Sequence, residues 1–117
     1  MENKIAPKSL AFAIRIVNLY KYLVTTQKEF VLSKQLLRSG TAIGALIREA
    51  EHAESKTDFL HKMNIALKEA NEALYWIILL KTDFLANEAY HSIYADCEEL
   101  VKMLVSIVKT TKTVLSR

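Results

Sequence analysis

Apolar residues recur along this chain in four long runs with the three- and four-residue spacing of helices. In residues 32–53, Leu36, Gly40, Ile43, Ile47 and Ala50 repeat at four, three, four and three. This is the seam of a helix that packs in a bundle. In residues 56–85, Phe59, Met63, Ala66, Ala70, Ala73, Ile77, Leu80 and Phe84 keep the same alternation, beside a second stripe of Leu60, Leu67, Leu74, Ile78 and Leu85. Residues 9–28 carry two stripes: Leu10, Ala13, Ile14, Val17 and Val24, then Phe12, Ile16, Leu19 and Leu23. In residues 88–115, Tyr94, Cys97, Val101, Leu104, Val108, Thr111 and Leu115 form one stripe, flanked by Ile93, Leu100, Ile107 and Val114.

Punctuation between the runs fits this division. Ser9 follows Pro7 and is placed to cap the first helix. Glu29-Phe30-Val31 is a short loop, and Ser55 with Asp58 three residues on forms a capping box. Ala86-Asn87-Glu88 is the expected turn before the last helix, since asparagine tolerates the left-handed conformation. Connections this short force antiparallel neighbours. The expected fold is therefore all-α, a single domain over residues 1–117 built as an up-down-up-down antiparallel four-helix bundle. The first, third and fourth helices carry wider apolar arcs than one inward face needs. The surplus predicts a second buried surface, most simply a homo-oligomer; the alternative is a thick monomer core.

Two glycines and one proline in 117 residues leave too few turn residues for a strand-rich fold. Both glycines, Gly40 and Gly44, lie in the second helix, where each costs roughly 1 kcal/mol relative to alanine. Their spacing lets another helix approach closely, either inside the bundle or from a neighbouring subunit with Ser39, Thr41 and Ala45 extending the surface. The lone Cys97 excludes an intrachain disulfide and sits on a core stripe as a small hydrophobe. The N-terminal residues show no signal-peptide pattern, and the most apolar window, residues 73–80, is too short to span a bilayer. The expected location is the cytoplasm, with no membrane partner.

Charge is distributed unevenly. Residues 1–48 sum to +6, residues 49–99 to −7 and residues 100–117 to +4, for a net +3. Lys8, Arg15, Lys21 and Lys28 share one face of the first helix. In the bundle topology, Lys102, Lys109, Lys112 and Arg117 join Lys4, Lys8 and Arg15 around one end. Clustered cations of this kind neutralise phosphates. Lys8, Arg15, Lys21, Lys28, Lys34, Arg38, Lys109, Lys112 and Arg117 are the candidate nucleic-acid contacts; the alternative is a solvated face that pairs with the acidic third helix of a neighbour.

Other motifs carry less chemistry. Glu49/His52 and Glu88/His91 are both Glu-x-x-His, the spacing of di-iron carboxylate bundles. The first pair ends one helix and the second begins another, at opposite ends of the bundle and roughly 20 Å or more apart. The first helix also supplies no acid between Ser9 and Lys28. Solvated helix ends are the better reading of these pairs and of Asp58/His61. No phosphate loop, nucleophile constellation or metal cluster is present, so no catalytic residue, cofactor or metal is expected. Lys68–Glu72 reads as an i,i+4 pair, with Tyr75 and Trp76 off the seam beside it, placed to shield a subunit interface or to lie under a helix-end loop, an exposed base-stacking role being the weaker alternative.

Ser33, Gln35-Leu36-Leu37-Arg38-Ser39-Gly40-Thr41, Ile43-Gly44, Ile47, Glu49-Ala50, Ser55, Asp58-Phe59, Lys68-Glu69-Ala70, Glu72 and Tyr75-Trp76 together resemble a bacterial four-helix-bundle family. It is known from proteins encoded in intervening sequences of 23S ribosomal RNA genes and is often labelled ribosomal-protein-like. A related branch is the accessory protein of diversity-generating retroelements. The resemblance covers nearly the whole chain; Ala42 and Ala45-Leu46 depart mildly from the usual residues. It implies a closed homo-oligomer, typically a pentamer, without enzymatic activity, associated with RNA or a reverse transcriptase through basic surface. In such a family Ser39, Gly40, Ile43, Gly44, Ile47, Tyr75 and Trp76 act in packing rather than as ligands. The expected function is thus a non-enzymatic RNA- or nucleoprotein-binding bundle. A protein–protein assembly module is the alternative, and a carboxylate-bridged metalloprotein a distant one.

Overall fold

The structure, a computed structural model, describes residues 4–81 and 83–117, and these form four helices and no strand. They are α1 (Ile5–Thr25), α2 (Leu32–Glu51), α3 (Lys56–Leu80) and α4 (Asn87–Leu115). Met1, Glu2, Asn3 and Thr82, which the sequence reading assigns to the N-terminus and to the third helix, lie outside the described residues. Each helix packs on the next in the chain, and α1 closes the bundle on α4 over a shorter stretch. α1 therefore lies diagonally across from α3, and α2 from α4. The result is a rod of 51 × 21 × 21 Å.

Four helix boundaries differ from the expected ones by more than a residue, each for a local reason. α1 begins at Ile5, four residues early, because Pro7 falls in the first turn, where no N–H is required. Ser9 is consequently not a cap: it is buried, and its hydroxyl donates to the Ala6 carbonyl at 2.8 Å. α1 ends at Thr25, before Lys28 turns the chain with a left-handed φ of 55°. α2 stops at Glu51, where the His52 and Ala53 amides close back onto Glu49 and Ala50 at 3.1 Å each. α3 stops at Leu80, five residues short of the expected end, with the Lys81 amide bonded to the Ile78 carbonyl at 3.2 Å. Phe84 and Leu85 still pack against the core, but from the turn rather than from the helix. Asn87 is the first residue of α4 and not the turn residue; extended Ala86 precedes it. The serine half of the box at α3 forms, the Ser55 hydroxyl accepting from the Asp58 amide at 3.0 Å, while the Asp58 carboxylate accepts from the Glu54 amide at 3.3 Å, one residue before the cap.

The core follows the stripes on α2 and α3, whereas on α4 it runs through Tyr90, Ile93, Cys97, Leu100, Leu104 and Val108, so that Ile93 and Leu100 of the flanking set are buried and Tyr94, Val101, Thr111 and Leu115 of the expected stripe are not. On α2, Leu36, Gly40, Ile43, Ile47 and Ala50 are all buried, and on α3 the buried set is Met63, Ala66, Ala70, Ala73, Ile77 and Leu80. The three alanines draw α4 close, so that the Cys97 thiol reaches the Ala70 carbonyl at 3.4 Å. On α1 only the second stripe turns inward: Phe12, Ile16 and Leu23 are buried, with Leu19 partly so. Each such side chain contributes about 1.5–3 kcal/mol by leaving water.

Candidate nucleic-acid interface

The glycines of α2 face α1. A Cβ on Gly40 would stand 2.9 Å from Cγ1 and 3.0 Å from Cγ2 of Ile16, and one on Gly44 would stand 3.3 Å from the Ser9 hydroxyl. Small residues at these two positions let α1 lie against the α2 backbone. Ser39, Ile43 and Ile47 are buried beside them.

That close approach leaves the other stripe of α1 in solvent. Leu10 is 57% exposed and Ile14 55%, with Val17 next along the same face. A groove of about 920 Å³ runs alongside, between α1 (Ala6, Leu10, Ala13) and α2 (Thr41, Ala45, Arg48). On the diagonally opposite helix α3, Tyr75 and Ile78 are also exposed.

The cations divide into two groups. Lys8 and Arg15 reach across to α4, where Lys8 Nζ lies 2.9 Å from Glu99 and Arg15 bonds Asp96. Arg38 crosses from α2 to α3 and binds Glu72 and, at 3.3 Å, Glu69. Glu72 also accepts from the Trp76 indole N–H at 3.2 Å, and the Tyr75 ring meets Trp76 edge-on at 5.2 Å. The hydrogen bond from Arg38 holds the Glu72 carboxyl below its ordinary range, outweighing its partial burial, and the Trp76 bond adds to the effect. The same bond raises the Arg38 guanidinium. Glu72 hydrogen-bonds Arg38 and Trp76, and Lys68 adds a smaller electrostatic pull of the same sign.

Lys21, Lys28, Lys34, Lys109, Lys112 and Arg117 form the second group: all are exposed and none makes an ion pair among the described residues. They lie at the two ends of the rod. Lys21, Lys28 and Lys34 surround the α1–α2 connection, and Lys109, Lys112 and Arg117 ride the last turns of α4. The expected single face on α1 is therefore split, with Lys8 and Arg15 committed to α4 and Lys21 and Lys28 open to solvent.

The α1–α2 connection holds a residue the spacing arguments passed over. Glu29 is buried, and its carboxylate accepts from the amides of Val31 at 3.1 Å, Leu32 at 3.0 Å and Ser33 at 2.6 Å. The Ser33 hydroxyl returns a bond to the Glu29 carbonyl at 2.8 Å. Glu29 is thus the cap of α2, satisfying three of its orphan donors. Burial pushes its carboxyl up, but the bonds from Ser33, Leu32 and Val31 outweigh it and the net shift is downward. The acid-to-serine spacing of four was the available signal. Phe30 and Val31, on the same tip, are 58% and 71% exposed.

Other titratable groups have structural surroundings. Burial, with a smaller contribution from Asp96, pushes the Cys97 thiol up to about 12. Glu49 pairs with Lys62 at 3.2 Å, and the His91 ring meets Tyr90 edge-on at 5.2 Å. No group of three or more His, Cys, Asp or Glu among the described residues is arranged to hold a metal ion. No helix is long and apolar enough to cross a membrane among the described residues.

Known proteins resemble this bundle along nearly its whole length. A crystal structure of a protein of unknown function from the S23 ribosomal protein family of Bacteroides thetaiotaomicron VPI-5482 superposes with a TM-score of 0.88 at 61% identity, covering 90% of this chain and 98% of its own. No curated protein matches. The family model for 23S rRNA-intervening sequence proteins matches residues 1–106. The fold thus finds its counterpart, and the chain belongs to the 23S rRNA-intervening sequence protein family.

Proposed function

We propose that this chain is a non-enzymatic, cytoplasmic bundle that assembles with copies of itself and binds RNA, or an RNA-bearing protein partner, through its basic ends. The observation that carries the reading is that six of the exposed cations without an ion pair among the described residues, Lys21, Lys28, Lys34, Lys109, Lys112 and Arg117, gather at the two ends of the chain's helices. A cation already paired with Glu99, Asp96 or Glu72 must give up that partner to take a phosphate; these six do not. The family's association with an rRNA intervening sequence favours RNA over other polyanions. A closed oligomer, the pentamer implied by the family resemblance, multiplies a patch that in one copy with net charge +3 is only mildly basic.

The test is RNA affinity against salt. Binding through phosphates falls linearly on logarithmic axes, with a slope set by the number of cations engaged. Reversing Lys109, Lys112 and Arg117 to glutamate should weaken binding and flatten the slope while the helical signal stays unchanged. Absence of binding at low salt, or affinity indifferent to salt, excludes this function.

A second reading, a protein–protein assembly module without RNA, is favoured by one observation: the solvent-exposed stripe Leu10, Ile14, Val17 beside the α1–α2 groove. An oligomer that binds no RNA at low salt would select it.

A further inference from the structure

The exposed tip between α1 and α2 combines three features that meet nowhere else among the described residues. Phe30 and Val31 project into solvent at 58% and 71% exposure. The backbone beneath them is fixed, since Glu29 grips the amides of Val31, Leu32 and Ser33 and the Glu29 amide bonds the Leu23 carbonyl at 2.9 Å. The exposed cations Lys28 and Lys34 flank them in the chain, with the exposed Lys21 near the end of α1. The tip's own acid, Glu29, is turned inward and occupied. Asp83 and Glu88 lie at the same end but on the α3–α4 connection.

An aromatic ring held out on a rigid, basic support suits a nucleobase, because stacking needs an exposed face and the phosphates on either side need cations. A base inside a duplex is already stacked and offers no face. Two apolar side chains are also a small area for a lipid surface or a protein groove. Resting on the RNA-binding reading above, we infer that Phe30 is a stacking platform for an unpaired base of the bound RNA, with Lys28 and Lys34 on the flanking phosphates. The tip thereby selects single-stranded or looped RNA over continuous duplex.

The experiment compares wild type, Phe30→Ala and Phe30→Tyr by fluorescence anisotropy with a labelled unstructured oligouridine and a blunt RNA duplex of equal length. Phe30 is largely exposed, so thermal melting should be unchanged in both variants. The expected result is about a ten-fold or greater loss of oligouridine affinity in Phe30→Ala, near-complete retention in Phe30→Tyr, an unchanged salt slope, and little effect on the duplex. Equal affinity of wild type and Phe30→Ala for oligouridine overturns the stacking site and leaves the RNA-binding function standing, and so does an equal loss on both RNAs. No binding of either RNA by wild type at low salt overturns both. If wild type instead binds phosphatidylserine vesicles through Phe30 and neither RNA, the tip is a lipid contact and the inference is wrong.

Discussion

Gly40 and Ile16 occupy each other's space: a methyl on Gly40 would fall 2.9 Å from Ile16 Cγ1, closer than carbon atoms approach without displacement. Ile16 is fully buried and cannot swing away. Gly40→Ala should therefore destabilise the fold by about 1–2 kcal/mol, the strain of overpacking exceeding the roughly 1 kcal/mol gain in helix propensity. Gly44→Ala meets the Ser9 hydroxyl at 3.3 Å and the Ser9 carbonyl oxygen at 3.5 Å, a contact that small movements relieve, and should stay within about 1 kcal/mol of wild type. Urea denaturation of both variants checks the asymmetry; equal losses would contradict it.

Glu29 makes the stability of α2 dependent on pH. Its carboxyl is held below the ordinary value near 4.5 in the folded state, so the fold favours the ionised form. That contribution is fully present above the unfolded-state value and is lost as pH falls through the folded one. Glu29→Gln should lower stability at neutral pH by about 1–2 kcal/mol, the worth of a good cap, and should flatten the acid limb of the stability curve. Chemical denaturation from pH 7 down to pH 3 reads both effects.

Cys97 should be inert in the native state. With its thiol raised to about 12 and its side chain sealed between α3 and α4, almost no thiolate exists at pH 8. A disulfide reagent should label it only at the rate at which the bundle opens, and denaturant should accelerate labelling by orders of magnitude. Rapid labelling of folded protein would refute the packing described here.

Arg38 and Glu72 should couple weakly but measurably. Arg38 is about half exposed, so solvent screens the pair, and a double-mutant cycle on Arg38→Ala and Glu72→Ala should return about 0.5–1 kcal/mol. Glu72→Ala should also change Trp76 fluorescence, because it removes the acceptor of the indole N–H.

The α1 stripe predicts assembly state. Leu10→Lys with Ile14→Lys replaces two exposed apolar side chains and should leave helicity intact. If this stripe is buried between copies, light scattering will show the variant as a smaller species than wild type; an unchanged mass would remove α1 from the interface.

Much of this was legible in the spacing. The α2 seam from Leu36 to Ala50 and the α3 seam from Met63 to Leu80 went inward as their periodicity required, and Ser55 capped as its neighbours indicated. On α1, two stripes of similar apolarity competed, and composition did not tell which faced the core. Ile16 faces the core because Gly40 leaves room for it, while Leu10 stays on the solvent side. Helix ends were least legible. Phe84 continues the α3 rhythm although it packs from a turn, and Pro7 reads as a boundary although a first turn tolerates it. The charged face was visible, but whether a lysine faces solvent or a carboxylate depends on α4, whose Glu99 and Asp96 lie more than eighty positions away from Lys8 and Arg15.

The short meeting of α1 with α4 has a mechanical meaning. On one edge α1 is locked to α2 by close-packed contact that salt does not touch. On the other, besides the apolar side chains it shares with the core, it meets α4 through Lys8–Glu99 and Arg15–Asp96, exposed pairs that a Debye screen weakens. The α1–α4 edge is thus the one whose polar contacts ionic strength reaches. Amide exchange in rising salt should loosen α1 before α2, α3 or α4, and only modestly, since each exposed pair is worth about 1 kcal/mol or less while the apolar face of α1 stays in the core.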